Sequence, residues 1–218
     1  MRDRRRFLKR IIGGGFSLLL MGGLIPSAFG KVFAAVKKIV LPKETTRESL
    51  VNRNPANLDA AHVEITPLKD FGVMGLSDHT VDPASWRLTL SGAGETTVEF
   101  SYAQILEMPA LERKVLMICP GVFANIGLWK GISIRTLINA AGFKEKAAAV
   151  ILSGPKGSYT KTQRFPMEDI RSDRVFLAYL VNGKALPQKH GFPLRVVAEG
   201  YYGYDWIKYV DRIEIQET

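Results

Sequence analysis

The chain has 218 residues, 46% of them hydrophobic, and a formal charge of +9 at pH 7. The charge is confined to one end: residues 1–43 carry ten Lys or Arg against a single acid, Asp3, which leaves residues 44–218 neutral as a body. A nucleic-acid footprint would need a basic patch on the folded domain, so this distribution excludes one, and Cys119, the only cysteine, excludes an internal disulfide.

The chain opens with Asp3-Arg4-Arg5-Arg6-Phe7-Leu8-Lys9, followed by twenty uncharged residues, Ile11 to Gly30. These residues resemble a twin-arginine export signal, departing from it only at Asp3, where Ser or Thr is usual. The resemblance implies passage of a folded protein through the twin-arginine translocation machinery to the periplasm, and with it a cofactor inserted before export. Ala28-Phe29-Gly30 offers small residues for cleavage before Lys31. An uncleaved segment of this length would instead just span a bilayer core and tether the protein to the cytoplasmic membrane, although its Gly runs and Pro26 make a poor helix. The early positive charges suit anionic lipid headgroups. Residues 1–30 are therefore expected to be the leader, and 31–61 a basic and then polar linker arm that Pro42 and Pro55 keep from forming a long helix.

Residues 62–218 have the length and apolar content for one buried core. Trp86-Arg87-Leu88-Thr89-Leu90 alternates at period two like a half-buried strand, and Gly92-Ala93-Gly94 turns the chain. Ser101 caps a short helix through Met108, before Pro109. An apolar strand over 114–118 then delivers Cys119 to a loop opened by Pro120-Gly121. Residues 133–141 have helical spacing, with Gly142 as the stop. Strands are predicted at 147–152, 175–180, 194–197 and 210–215, with a helical turn near 166–170. Many short strands with few helices give an α+β class: a single mixed, β-rich domain with short helices.

Cys119 on its own is a buried filler, an intermolecular partner or a functional thiolate. Its place at a strand end favours function, because loops at strand ends are where scaffolds hold reactive groups. The segment VLMICPGVFANIGLWKGISIRTLINAAG, residues 115–142, resembles the molybdenum-binding stretch of the sulfite oxidase family, with Cys119, Trp129, Gly131, Ile132, Ile134 and Leu137 on its pattern. The segment HGFPLRVVAEGYYGYDWIKYVDRIEI, residues 190–215, resembles the pterin-holding end of the same domain.

The resemblance implies a sulfite-oxidase-type molybdopterin-binding fold with the molybdenum cofactor. It assigns Cys119 as metal ligand and catalytic residue. His190, Arg195 and Lys208 become the donors to the cofactor phosphate, helped by the backbone at Trp206 and Ile207. A high-valent metal in a dithiolene accepts a further soft thiolate, and a buried dianion needs cationic and N–H donors. Two departures bear on substrate. No arginine adjoins Cys119, leaving Arg87, Arg113 and Arg164 as unplaced oxyanion candidates, and the upstream contacts of sulfoxide-reducing relatives would fall on Thr66, Lys69 and Asp70, which match poorly.

The expected activity is two-electron oxygen-atom transfer on a small sulfur or nitrogen oxo compound or a protein sulfoxide. Electrons would be exchanged with a separate haem protein, in the membrane or outside it, since the sequence has no Cys-x-x-Cys-His. Two other classes compete: a cysteine-nucleophile enzyme, for which His62, His79 and His190 are the available bases, and a cofactor-free, membrane-tethered binding module of the same fold.

Overall fold

The computed structural model describes residues 37–92, 96–143, 147–157 and 160–217. The expected leader, and the glycine turn after the first predicted strand from Ala93 onward, lie outside the described residues. Among the described residues no helix is long and apolar enough to cross a membrane.

Among the described residues two five-stranded sheets carry the core, the first mixed and the second antiparallel. In the first, β3 (Arg87–Ser91) pairs antiparallel with β4 (Thr97–Ser101) and parallel with the C-terminal β12 (Arg212–Glu217). Beyond β12 lie β7 (Ala147–Ser153) and β8 (Thr162–Pro166), both antiparallel. Alternation explains β3: Leu88 and Leu90 are fully buried while Arg87 faces solvent.

The second sheet is built on a long hairpin, β5 (Ala110–Cys119) and β6 (Phe123–Ser133). On the other side of β6 runs β9 (Val175–Val181), whose far edge is shared by β10 (Lys184–Ala185) and β11 (Arg195–Ala198). Three short helices complete the domain: α1 (Tyr102–Glu107), α2 (Ile134–Ala140) and α3 (Met167–Arg171). α1 starts in a capping box: Ser101 Oγ accepts from Gln104 N–H at 3.2 Å and Gln104 Oε1 accepts from Ser101 N–H at 2.8 Å. α2 stops where expected, with Gly142 in the left-handed region at φ 76°.

The hairpin is buried on both faces at its Cys119 end. Val115 and Met117, with Trp129 from β6, point into the main core between the sheets. Leu116 and Ile118, with Ala124 and Ile126, point the other way into a second apolar cluster completed by Leu41, Leu50, Leu58 and Val63. Residues 39–61, expected as a polar arm, thus lie against the domain: β1 (Ile39–Val40) pairs with β2 (Leu58–Asp59), and Leu41, Leu50 and Leu58 are at most 5% exposed. Four widely spaced apolar residues make this seal, and no periodicity announces them.

The segment Trp129-Lys130-Gly131-Ile132 is the end of β6, directly before α2. Gly131 is there for packing. A Cβ on it would fall 1.9 Å from the carbonyl oxygen of Leu177 on β9, so only glycine lets the two backbones approach.

Candidate active site

Alternation along β5 decides where the thiol points. Val115, Met117 and Cys119 share one face, and the register sets Cys119 opposite Phe123 and Met117 opposite Asn125. Cys119, Met117 and Phe123 all line a cavity of about 250 Å³. The hairpin closes through Pro120, Gly121 and Val122, with Gly121 at φ 71° and Val122 N–H donating to the Cys119 carbonyl at 3.0 Å. Cys119 is 6% exposed, and its Sγ stands 3.4 Å from Met74 Sδ. Burial pushes the Cys119 thiol up from its ordinary value, while Lys161 pulls it the other way.

The opposite wall comes from the loop before β11 and the segment before β12. His190, Arg195 and Lys208, assigned from sequence as phosphate donors, meet in the same cavity. Gly191, at φ 108°, makes this meeting geometrically feasible: a Cβ there would sit 2.9 Å from Lys208 Cβ, so the glycine lets residues 190 and 208 come together. Tyr209 N–H donates to Gly191 O at 3.3 Å and Val210 N–H to Leu194 O at 2.8 Å, which binds the two segments side by side.

Arg195 is 3% exposed. Its Nη1 donates to the His190 carbonyl at 3.1 Å, its Nη2 points at Met117 Sδ at 3.5 Å, and its guanidinium lies over the rings of Trp129 and Trp206 at 5.1 and 5.6 Å. Its Nε has no partner among the described residues, and neither has Nε2 of His190, which is 1% exposed with its ring edge-on to Phe71. Lys208 Nζ donates to the carbonyls of Leu76 and Lys189 at 2.7 and 2.9 Å.

No carboxylate among the described residues lines the cavity. The cations therefore raise one another's cost of charging. Loss of water, then Arg195 and the neighbouring lysines, pushes His190 down to about 4. Burial brings Arg195 down to about 10, and burial with Arg195 and Lys161 brings Lys208 down to about 8. A buried guanidinium with an idle N–H beside an unpartnered imidazole is costly, and a bound anion with several acceptor oxygens would remove that cost.

Trp206 also lines the cavity, but Ile207 does not. Their backbone N–H groups donate to Gly203 O at 3.3 Å and Asp205 O at 3.2 Å, so each already has an acceptor within the chain. Three arginines left unplaced by the sequence are engaged elsewhere. Arg87 donates to Ala84 O and Trp86 O, Arg113 to Asp173 O and Glu199, and Arg164 to Gln216, and none lines the cavity. Thr66 is a buried brace, its hydroxyl accepting from Ile126 N–H at 3.0 Å and its carbonyl accepting from Asn182 Nδ2 at 2.9 Å; Lys69 and Asp70 stand outside the cavity.

The competing cysteine-nucleophile arrangement finds no support here. Neither His62 nor His79 lines the cavity, no histidine hydrogen-bonds Cys119 among the described residues, and burial makes the thiol harder to ionise. Sequence reasoning missed Met74, Met117 and Lys161 as cavity residues. Met117 could have been found from the period-two partner position of Cys119, but Met74 and Lys161 sit on loops with no local signal.

A β-rich fold whose cavity holds one thiol and several cations, with no carboxylate among the described lining residues, fits a sulfite-oxidase-type molybdopterin-binding domain. The family model described as oxidoreductase molybdopterin binding domain matches residues 75–218, and the chain belongs to that family of molybdenum-cofactor-dependent oxidoreductases. Among curated proteins it is 29% identical over 134 residues to an uncharacterized oxidoreductase, YuiH, of Bacillus subtilis (strain 168), covering 61% of this chain and 66% of that protein. It is 26% identical over 178 residues to the protein-methionine-sulfoxide reductase catalytic subunit MsrP of Gluconobacter oxydans (strain 621H), covering 71% of this chain and 56% of that protein. A match to the NADH nitrate reductase of Lotus japonicus, at 26% identity over 162 residues, covers 61% of this chain and 18% of that enzyme. The chain thus spans two thirds or less of the length of these relatives. In fold it is similar to the sulfane dehydrogenase SoxCD from Paracoccus pantotrophus, with a TM-score of 0.59 and 21% identity over 84% of this chain and 51% of that one.

Proposed function

We propose that this chain is an exported molybdenum enzyme that catalyses two-electron oxygen-atom transfer on a small sulfur or nitrogen oxo compound or a protein sulfoxide, exchanging electrons with a separate haem protein. The observation that carries the reading is the pair of unpartnered nitrogens, Arg195 Nε and His190 Nε2, on buried residues lining the cavity that also holds the thiol. A phosphate-bearing cofactor fits these donors, and the molybdenum it carries supplies the oxygen-atom and electron chemistry.

In this reading Cys119 would hold the metal through its sulfur, as a thiolate. The raised thiol is consistent with that assignment, because a coordinating metal, unlike a free solvent site, offsets the cost of a buried anion. Arg195, Lys208 and His190 would hold the phosphate; burial is the main reason the imidazole is held neutral, and a neighbouring dianion would offset the cationic part of that effect. Trp206 and Trp129 brace the guanidinium from its faces.

Export rests on the leader-like residues 3–30; delivery would be to the periplasm, with the leader removed or kept as a membrane tether. The test is metal and pterin analysis of the purified protein. One molybdenum and one pterin per chain is the expected result, and a metal-free, pterin-free protein would leave the cofactor-free binding module in its place.

A further inference from the structure

We propose that Lys161 forms a second anion subsite, at the mouth of the cavity, which receives the charged end of a small oxyanion substrate; this rests on the functional reading above. Among the described residues four able to carry positive charge line the cavity: His190 and Arg195 are buried, and Lys208 beside them is half-buried. The fourth, Lys161, stands on another element, at the foot of β8, and is exposed. Its backbone is pinned: Gly154 N–H donates to Lys161 O at 3.0 Å, and the next residue, Thr162, is in register with Ser153. Its ammonium has no hydrogen-bond partner among the described residues, whereas Lys208 donates to two carbonyls.

Lys161 also lies within electrostatic reach of the Cys119 sulfur, as the mutual effect on their proton affinities shows; Asp205, Lys208 and Cys119 are the charged or titratable groups that act on or feel it. The rest of the mouth carries no further cation among the described residues. Met74 and Tyr204 are each more than half exposed around it, and neither carries a charge at neutral pH. With Arg87, Arg113 and Arg164 engaged elsewhere, Lys161 is the remaining cation placed to orient an anion entering past Cys119. A cleft of one sign with low-dielectric walls also concentrates such anions.

The test uses the loaded protein and sulfate, an unreactive oxyanion, titrated by calorimetry. A charge-assisted contact at a wet site corresponds to roughly tenfold in affinity, so Lys161→Met should weaken sulfate binding by about that factor and raise KM for nitrate or chlorate in step. Lys161→Arg should recover most of both. Unchanged sulfate affinity in Lys161→Met overturns the subsite, and so does a fall in its molybdenum content, which would give Lys161 to the cofactor instead. If the protein carries no molybdenum, the functional reading fails; sulfate titration of Lys161→Met on an Arg195→Ala background still decides the subsite.

Discussion

Arg195 donates one guanidinium hydrogen bond to the backbone carbonyl of His190 at 3.1 Å, yet Arg195 Nε and His190 Nε2 both lack a partner among the described residues. The backbone contact fixes where the cation sits; the idle nitrogens mark where an anion belongs. Sandwiching against Trp129 and Trp206 makes the guanidinium tolerable in the absence of a counter-ion, because ring faces partly replace its lost water.

Arg195→Ala should therefore lower cofactor content about tenfold or more, since charge-assisted contacts to a buried phosphate contribute roughly 1.5–3 kcal/mol each. The apoprotein should still fold, having lost a buried charge rather than a core side chain. Molybdenum per chain, measured with circular dichroism on the same sample, checks both halves, and full occupancy would remove the assignment.

His190 gives the cofactor-free protein a pH dependence of known sign. Its proton affinity is depressed in the fold, from 6.5 to about 4, so as pH falls below 6.5 the unfolded chain takes up a proton that the native state refuses. Native stability should drop through that window, by up to about 1.4 kcal/mol per pH unit from this residue, and the drop should be missing in His190→Gln. Thermal melts of both apoproteins between pH 7 and 4 measure the difference. Loading with the cofactor should shift the imidazole titration upward; an unchanged titration would separate His190 from the phosphate.

Gly131→Ala should be severely destabilising, on the order of 3 kcal/mol or more, because the new methyl would meet the backbone carbonyl of Leu177, which cannot rotate away. Gly121→Ala, whose Cβ meets nothing but whose φ is 71°, should cost only about 1 kcal/mol. Urea unfolding of the two variants against wild type checks the ranking.

Changing Arg4 and Arg5 together to Lys should leave folded, loaded protein in the cytoplasm. Fractionation followed by molybdenum analysis reads the outcome, and normal arrival in the periplasm would show that the leader is of another type.

The strands with strict alternation, such as β3, and the capping box of α1 were legible in the sequence because their signals are local. So was the pairing of Cys119 with a distant basic triad, though only as a resemblance: no local rule brings residue 119 to residue 195. The structure supplies the physical link in Gly191, whose missing side chain admits Lys208, and in the shared face of Met117 and Cys119. Hidden from sequence were the long run of β6 and its pairing with β9, and the seating of Leu41, Leu50 and Leu58 on the hairpin. Lys161 was also hidden. A lysine on a loop carries no periodicity, and only the cavity shows what it faces.

Ligation by Cys119 is tested most directly by electron paramagnetic resonance of the molybdenum centre in wild type and Cys119→Ser, with visible absorption on the same samples. Replacing a soft thiolate with a harder, more basic oxygen should abolish the sulfur-to-metal charge-transfer band, alter the resonance and remove nearly all turnover, while the melting temperature changes little. An unaltered metal spectrum with a lowered melting temperature would contradict it, marking Cys119 as a core residue whose substitution buries a hydroxyl at a cost of about 1–3 kcal/mol.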